Sequence, residues 1–75
     1  MEAQVIFGEN VRRARKAAGM SQEALAVDAR LAKSYMSDVE RGRRNPTVNV
    51  VSRIARALGI GAAELMEGIP ERTAE

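Results

Sequence analysis

Three glycines, Gly19, Gly42 and Gly59, each stand directly after a stretch in which apolar residues recur every three or four positions. Glycine tolerates the left-handed backbone that ends an α-helix, so each one is a stop signal in a chain written at helical period. Phe7, Val11, Ala14 and Ala18 form the first stripe, and a helix is expected over about residues 4–18, with Gly8 inside it as a weak point that permits close packing. Ser21 is a good N-cap for a second helix, and Glu23 favours the same start through the helix dipole. Leu25, Ala26 and Ala29 supply the inner side of that helix, which should end near Ala29.

After Arg30 and Leu31 the helical pattern resumes from Ala32 to Arg41. At about 100° per residue, Ala32, Met36 and Val39 share one face, and Ser34, Ser37, Asp38 and Arg41 share the opposite one. One side packs and the other is free to touch a ligand. Arg43, Arg44, Asn45 and Pro46 make a basic loop, and Thr47 caps a fourth helix whose buried stripe is expected to be Val48, Val51, Ala55 and Leu58. A short fifth helix is expected over about residues 62–66. The predicted fold class is therefore all-α, a bundle of five short helices filling residues 1–67, followed by an unpatterned tail over 68–75 that is expected to fray.

A chain of 75 residues is one domain, and at this size only about 60% of the unfolded surface is removed from water on folding. Phe7 and Tyr35 are the only aromatic residues, so the core has to be assembled from Val, Ile, Leu, Met and Ala. The absence of cysteine excludes disulfides and thiolate metal sites and suits a reducing compartment. Histidine is absent too, which removes the commonest general base and metal ligand. No carboxylate pair stands in a recognisable catalytic spacing, so neither an enzyme nor a metal or other cofactor is expected, and no small-molecule ligand is evident. No apolar run approaches the roughly 20 residues that cross a bilayer, and the N-terminus lacks the pattern of a signal peptide. A cytoplasmic protein with no membrane partner is expected.

The net charge of +2 conceals an uneven distribution. Between Arg12 and Arg56 eleven Lys and Arg face only four carboxylates, Glu23, Asp28, Asp38 and Glu40, while most of the acidic residues lie on the flanks. The middle of the chain suits an acidic partner.

Two short helices joined by a tight turn, the second with a polar outer face, form the helix-turn-helix unit whose second helix enters the major groove of DNA. The sequence carries further marks of that unit. Phe7-Gly8 through Arg15, Gly19-Met20-Ser21-Gln22-Glu23-Ala24-Leu25-Ala26, Ser34-Tyr35-Met36-Ser37-Asp38-Val39-Glu40-Arg41-Gly42 and Asn45-Pro46 resemble the Cro and phage-repressor (XRE-type) helix-turn-helix family, over about residues 6–67. The resemblance implies a lambda-repressor-like DNA-binding domain with double-stranded DNA as its partner. Gln22 matches the family position that grips a phosphate at the start of the second helix. Lys33, Ser34, Ser37 and Asp38 match the base-reading positions, in agreement with the outer face found from the helical period. Among them Asp38 can only accept hydrogen bonds, which favours a cytosine amino group. Tyr35 matches a position often used on a phosphate and is equally suited to the core, while Arg43, Arg44 and Asn45 resemble a second phosphate clamp. Arg15 and Glu40 match a partly buried ion pair that locks the first helix to the third.

Two residues depart from the family pattern, Arg30 where many members have glycine and Ala32 where they have a serine or threonine cap. The expected function is a sequence-specific transcriptional regulator, and the alternative is an antitoxin-like interaction module with secondary DNA binding. The lack of a longer segment after Met66 speaks for the former. Apolar residues beyond those needed to dock the fourth helix, Val50, Ile54, Ile60, Leu65 and Met66, with Ile69 beside them, mark an expected surface for pairing with a second copy. Such a homodimer would present two reading helices to a palindromic operator.

Overall fold

Residues 2–69, which the computed structural model describes, form α1 (Ala3–Ala17), α2 (Gln22–Ala29), α3 (Lys33–Glu40), α4 (Val48–Leu58) and α5 (Ala62–Leu65), with no strand among them. Local chemistry sets the starts of the two best-capped helices. The Ser21 hydroxyl accepts from the Ala24 amide at 3.0 Å and the Thr47 hydroxyl from the Val50 amide at 3.2 Å, each satisfying one of the orphan donors of a first turn. Ala32, which precedes α3, offers no such bond.

The first four helices end alike. In each, an amide beyond the helix reaches back to a carbonyl five residues earlier: Met20 to Arg15, Leu31 to Ala26, Arg43 to Asp38 and Ile60 to Ala55, at 2.8–3.1 Å. That closure needs one residue in the left-handed region. Glycine fills the position three times, and at the end of α2 it is Arg30, with φ 60° and ψ 46°. Arg30 is the sole non-glycine residue of positive φ among the described residues.

The core is drawn from every helix: Phe7 and Val11 of α1, Leu25, Ala26 and Ala29 of α2, Met36 and Val39 of α3, Ile54 and Ala55 of α4, and Leu65 of α5. Burying a side chain such as Leu25 or Ile54 contributes about 1.5–3 kcal/mol. The expected stripe of α4 is displaced. Val48 is 85% exposed, and Ile54 takes its place inside, because the helix presents the 51, 54, 55 and 58 positions to α2 and α5. Ala18 and Ala32 are likewise exposed, since both lie at helix ends beyond the packed turns.

α1 crosses α3 at Gly8, where a Cβ would stand 2.3 Å from the Val39 carbonyl oxygen and 2.9 Å from that of Glu40. Only a residue without a side chain permits this approach. Buried Asn10, two residues on, donates from Nδ2 to the carbonyl oxygens of Leu65 at 2.8 Å and Glu67 at 3.0 Å, tying α5 to α1. Ile69 is half-buried against the core, so the packed region continues beyond residue 68; the rest of the expected frayed tail lies outside the described residues.

Candidate nucleic-acid interface

α2 and α3 are joined by Arg30, Leu31 and Ala32, and they pack against one another with α3 also held by α1. Met36, Val39 and Glu40 turn inward, so the residues between them face out. Lys33 and Ser34 are exposed in the first turn of α3, and Ser37 and Asp38 are half-buried one turn later. A polar face free of the core is what a helix needs to enter a groove and reach base edges.

Two polar networks fix the orientation of this face. The first is internal: Arg15 Nε donates to Glu40 Oε2 at 2.6 Å and Nη2 to Oε1 at 3.1 Å, while Nη1 donates to the Met20 carbonyl at 2.9 Å. The Glu40 side chain is 3% exposed and that of Arg15 12%. A bidentate pair so placed holds α3 to α1 in one register, and every buried polar side-chain atom of the described residues has a partner. Gln22 joins it, donating from Nε2 to Glu40 Oε1 at 2.9 Å. Half-buried Gln22 thereby ties the start of α2, where a phosphate contact is expected, to the same carboxylate.

The second network lies outside. Arg44 Nε stands 3.4 Å from Asp38 Oδ2, and the guanidinium carbon lies 5.2 Å from the centre of the Tyr35 ring. Tyr35 is half-buried and packs against the core with its body while carrying Arg44 on its face. Arg43 and Asn45 are exposed in the same loop.

Other expected residues fall elsewhere. Ile54 and Leu65, expected at a pairing surface, are 0% exposed and belong to the core of the single chain, since Ile54 lies on the face of α4 that also carries Val51, Ala55 and Leu58 and Asn10 draws α5 down onto α1. Val50 and Ile60 are half-buried, and Met66 is 42% exposed.

Several residues take places that the sequence did not show. Arg53 of α4 donates from Nε to the Ala29 carbonyl at 3.0 Å and from Nη2 to the Arg30 carbonyl, closing the end of α2 at its strained turn. Its only sequence signal was the missing glycine at position 30. Arg12, Lys16 and Arg41 surround the Arg15–Glu40 pair in a polar cleft beside Gln22, at the start of α2. The charge excess signalled these cations, but only the packing of α1 on α3 gathers them. Among the described residues no group of His, Cys, Asp or Glu is arranged to hold a metal, and no helix is long and apolar enough to cross a membrane.

The fold and the outer face of α3 define a helix-turn-helix DNA-binding domain. The family model for the helix-turn-helix domain matches residues 6–67, and the chain belongs to this family of transcriptional regulators. It is 38% identical over 66 residues to the HTH-type transcriptional regulator y4dJ of Sinorhizobium fredii, spanning 88% of this chain and 86% of that one. To the control protein C.BamHI of Bacillus amyloliquefaciens it is 39% identical over 64 residues, 84% and 79% of the two chains. The restriction-modification controller protein C.AhdI of Aeromonas hydrophila superposes with a TM-score of 0.81 at 44% identity, covering 83% of this chain and 94% of that one. The family's members are regulators of the XRE type rather than enzymes.

Proposed function

We propose that the protein is a sequence-specific transcriptional regulator that binds a palindromic operator as a homodimer. The observation that carries this reading is the face of α3, where Lys33, Ser34 and Ser37 lie clear of the core beside the basic loop of Arg43, Arg44 and Asn45. Serine and lysine at those places reach base edges, and the loop cations meet the phosphates that flank the groove. The cleft of Arg12, Lys16 and Arg41 would supply a second set of phosphate contacts, together with the backbone amides that open α2. Cytoplasm is the compartment in which such a ligand is met.

Pairing rests on the apolar surface that the single chain leaves uncovered. Met66 borders an apolar hollow lined also by Phe7, Pro46, Val51 and Ile69, and Val50 and Ile60 keep part of their surface exposed. A second copy that covers this end would set two α3 helices about 34 Å apart, one helical turn of DNA. Relatives of similar length are named as a control protein and as a restriction-modification controller protein, which supports a regulatory role.

Selection of bound sequences from a random DNA pool, followed by footprinting and sedimentation of the free protein, tests the proposal. An imperfect palindrome protected over two half-sites, with a dimer in solution, is expected. A protected single half-site bound by a monomer would refute the dimer, and enrichment of no sequence would refute specific binding.

A further inference from the structure

We infer that Arg44 is a base-reading side chain whose target is a guanine, and that Asp38 is a positioning residue that aims it. The inference rests on the proposed DNA-binding function and departs from the simpler assignment in which Asp38 accepts directly from a cytosine and Arg44 holds a phosphate.

The backbone makes the arrangement. Gly42, at φ 76°, ends α3 in the left-handed turn, and the Arg43 amide donates to the Asp38 carbonyl at 2.9 Å. A Cβ on residue 42 would come within 2.9 Å of the Val5 backbone, so α1 closes off the outward path. The chain therefore doubles back along α3, and Arg44 returns to the outer face of the helix it has just left.

Two contacts then limit where the guanidinium can go. Its Nε faces the Asp38 carboxylate at 3.4 Å, and its central carbon lies over the Tyr35 ring, 5.2 Å from the centre. Arg44 is still 52% exposed. Among the described residues only Nε is hydrogen-bonded, so the two terminal nitrogens keep their donors for a ligand. A fork of two parallel N–H donors matches the O6 and N7 acceptors of guanine, the commonest specific contact in the major groove. An exposed ion pair and a cation–π contact add little to the stability of a fold. Their consequence here is to remove freedom from a long side chain before it meets the base, which is how preorganisation raises affinity and selectivity.

The charge argument runs the same way. Asp38 alone on a face that enters a groove between two rows of phosphates would be repelled at distances within the Debye length of about 8 Å. Paired with Arg44 it is neutralised. A G·C pair satisfies either assignment, because guanine O6 and N7 lie beside the cytosine amino group, so variants of Arg44 rather than the base preference itself decide between them.

The test is sequence selection from a random pool with the full chain and with Arg44→Ala, Arg44→Lys, Asp38→Ala and the double alanine variant, each checked by thermal melting. The wild type is expected to prefer guanine at one position of each half-site by about 10- to 100-fold. Arg44→Lys keeps the charge and lacks the fork, so it should retain the salt dependence of binding and lose that preference. Asp38→Ala should weaken the preference in the same column, and the double variant should look like Arg44→Ala alone. Melting should be unchanged throughout, because neither side chain is in the core. Retention of the guanine preference by Arg44→Lys, or loss in a column that Arg44→Ala leaves intact when Asp38 is replaced, would overturn the inference. A wild-type protein that enriches no sequence would overturn the DNA-binding reading and the inference with it.

Discussion

Arg53 and Arg30 meet at the end of α2, where the Arg53 guanidinium donates to the carbonyls of Ala29 and of Arg30 itself. The recipient is, among the described residues, the one non-glycine residue in the left-handed region. For an L-residue that conformation costs about 1–2 kcal/mol, and the added freedom of glycine in the unfolded chain costs about 0.4–1 kcal/mol. Relief of strain is the larger effect. Arg30→Gly is expected to raise the melting temperature by about 4–8 °C, corresponding to a net gain of about 1 kcal/mol. Arg53→Ala should lower it, through two lost charge-assisted bonds to helix-end carbonyls. Arg53→Lys should restore little, because an ammonium lacks the fork that spans two acceptors. A fall in melting temperature for Arg30→Gly would contradict this account of the turn.

Gly8→Ala sets helix propensity against space. Alanine in an exposed helix interior gains about 1 kcal/mol over glycine, whereas overpacking costs typically 1–3 kcal/mol. A Cβ 2.3 Å from a backbone oxygen cannot be accommodated by turning a side chain. Overpacking wins at the upper end of its range, and calorimetry should record a fall of about 10 °C or more.

Removal of the Glu40 carboxylate strands the Arg15 guanidinium and the Gln22 amide in a partly buried site. Glu40→Ala is expected to destabilise the fold by about 3–5 kcal/mol. DNA affinity should fall only as a consequence. Normal denaturant unfolding with lost binding would place Glu40 at the interface instead.

Binding should weaken steeply with salt. If Arg12, Lys16, Arg41 and Arg43 each neutralise one phosphate, the slope of log K against log salt is about −3.6 per protomer and twice that for a dimer, at about −0.9 per contact. Titration by fluorescence anisotropy at several salt concentrations measures it, and a slope near zero would be incompatible with the proposed backbone contacts.

Met66→Glu places a charge on the most exposed of the large apolar residues at the C-terminal end. Sedimentation should show a shift from dimer to monomer with melting of the monomer nearly unchanged. Retention of the dimer would exclude this surface.

The helices and their order were legible because the signals were local. Ser21 and Thr47 cap the helices they precede, and glycines 19, 42 and 59 stop the ones they follow. What could not be read depended on packing between distant segments. Asn10 looked like any polar residue of a first helix, and its burial follows from the carbonyls of Leu65 and Glu67, 55 and 57 residues away. The same limit misplaced Ile54 and Leu65, since an apolar residue on a short helix serves a core or a pairing surface equally well until its neighbours are known. At the candidate interface the period of α3 gave the face, while the return of Arg44 onto it arises from a loop that has no period.

α1 carries contacts of both kinds along its length. Val5 and Gly8 seat it against the end of α3, Arg15 ties it there again through the Glu40 carboxylate, and Asn10 between them grips α5. It thereby works as a rigid beam with the reading helix fastened at two points and the proposed pairing surface at a third. In a paired molecule the distance between the two reading helices would be set by the stiffness of this beam, and a half-site spacing wrong by one base pair would have to bend the DNA rather than the protein.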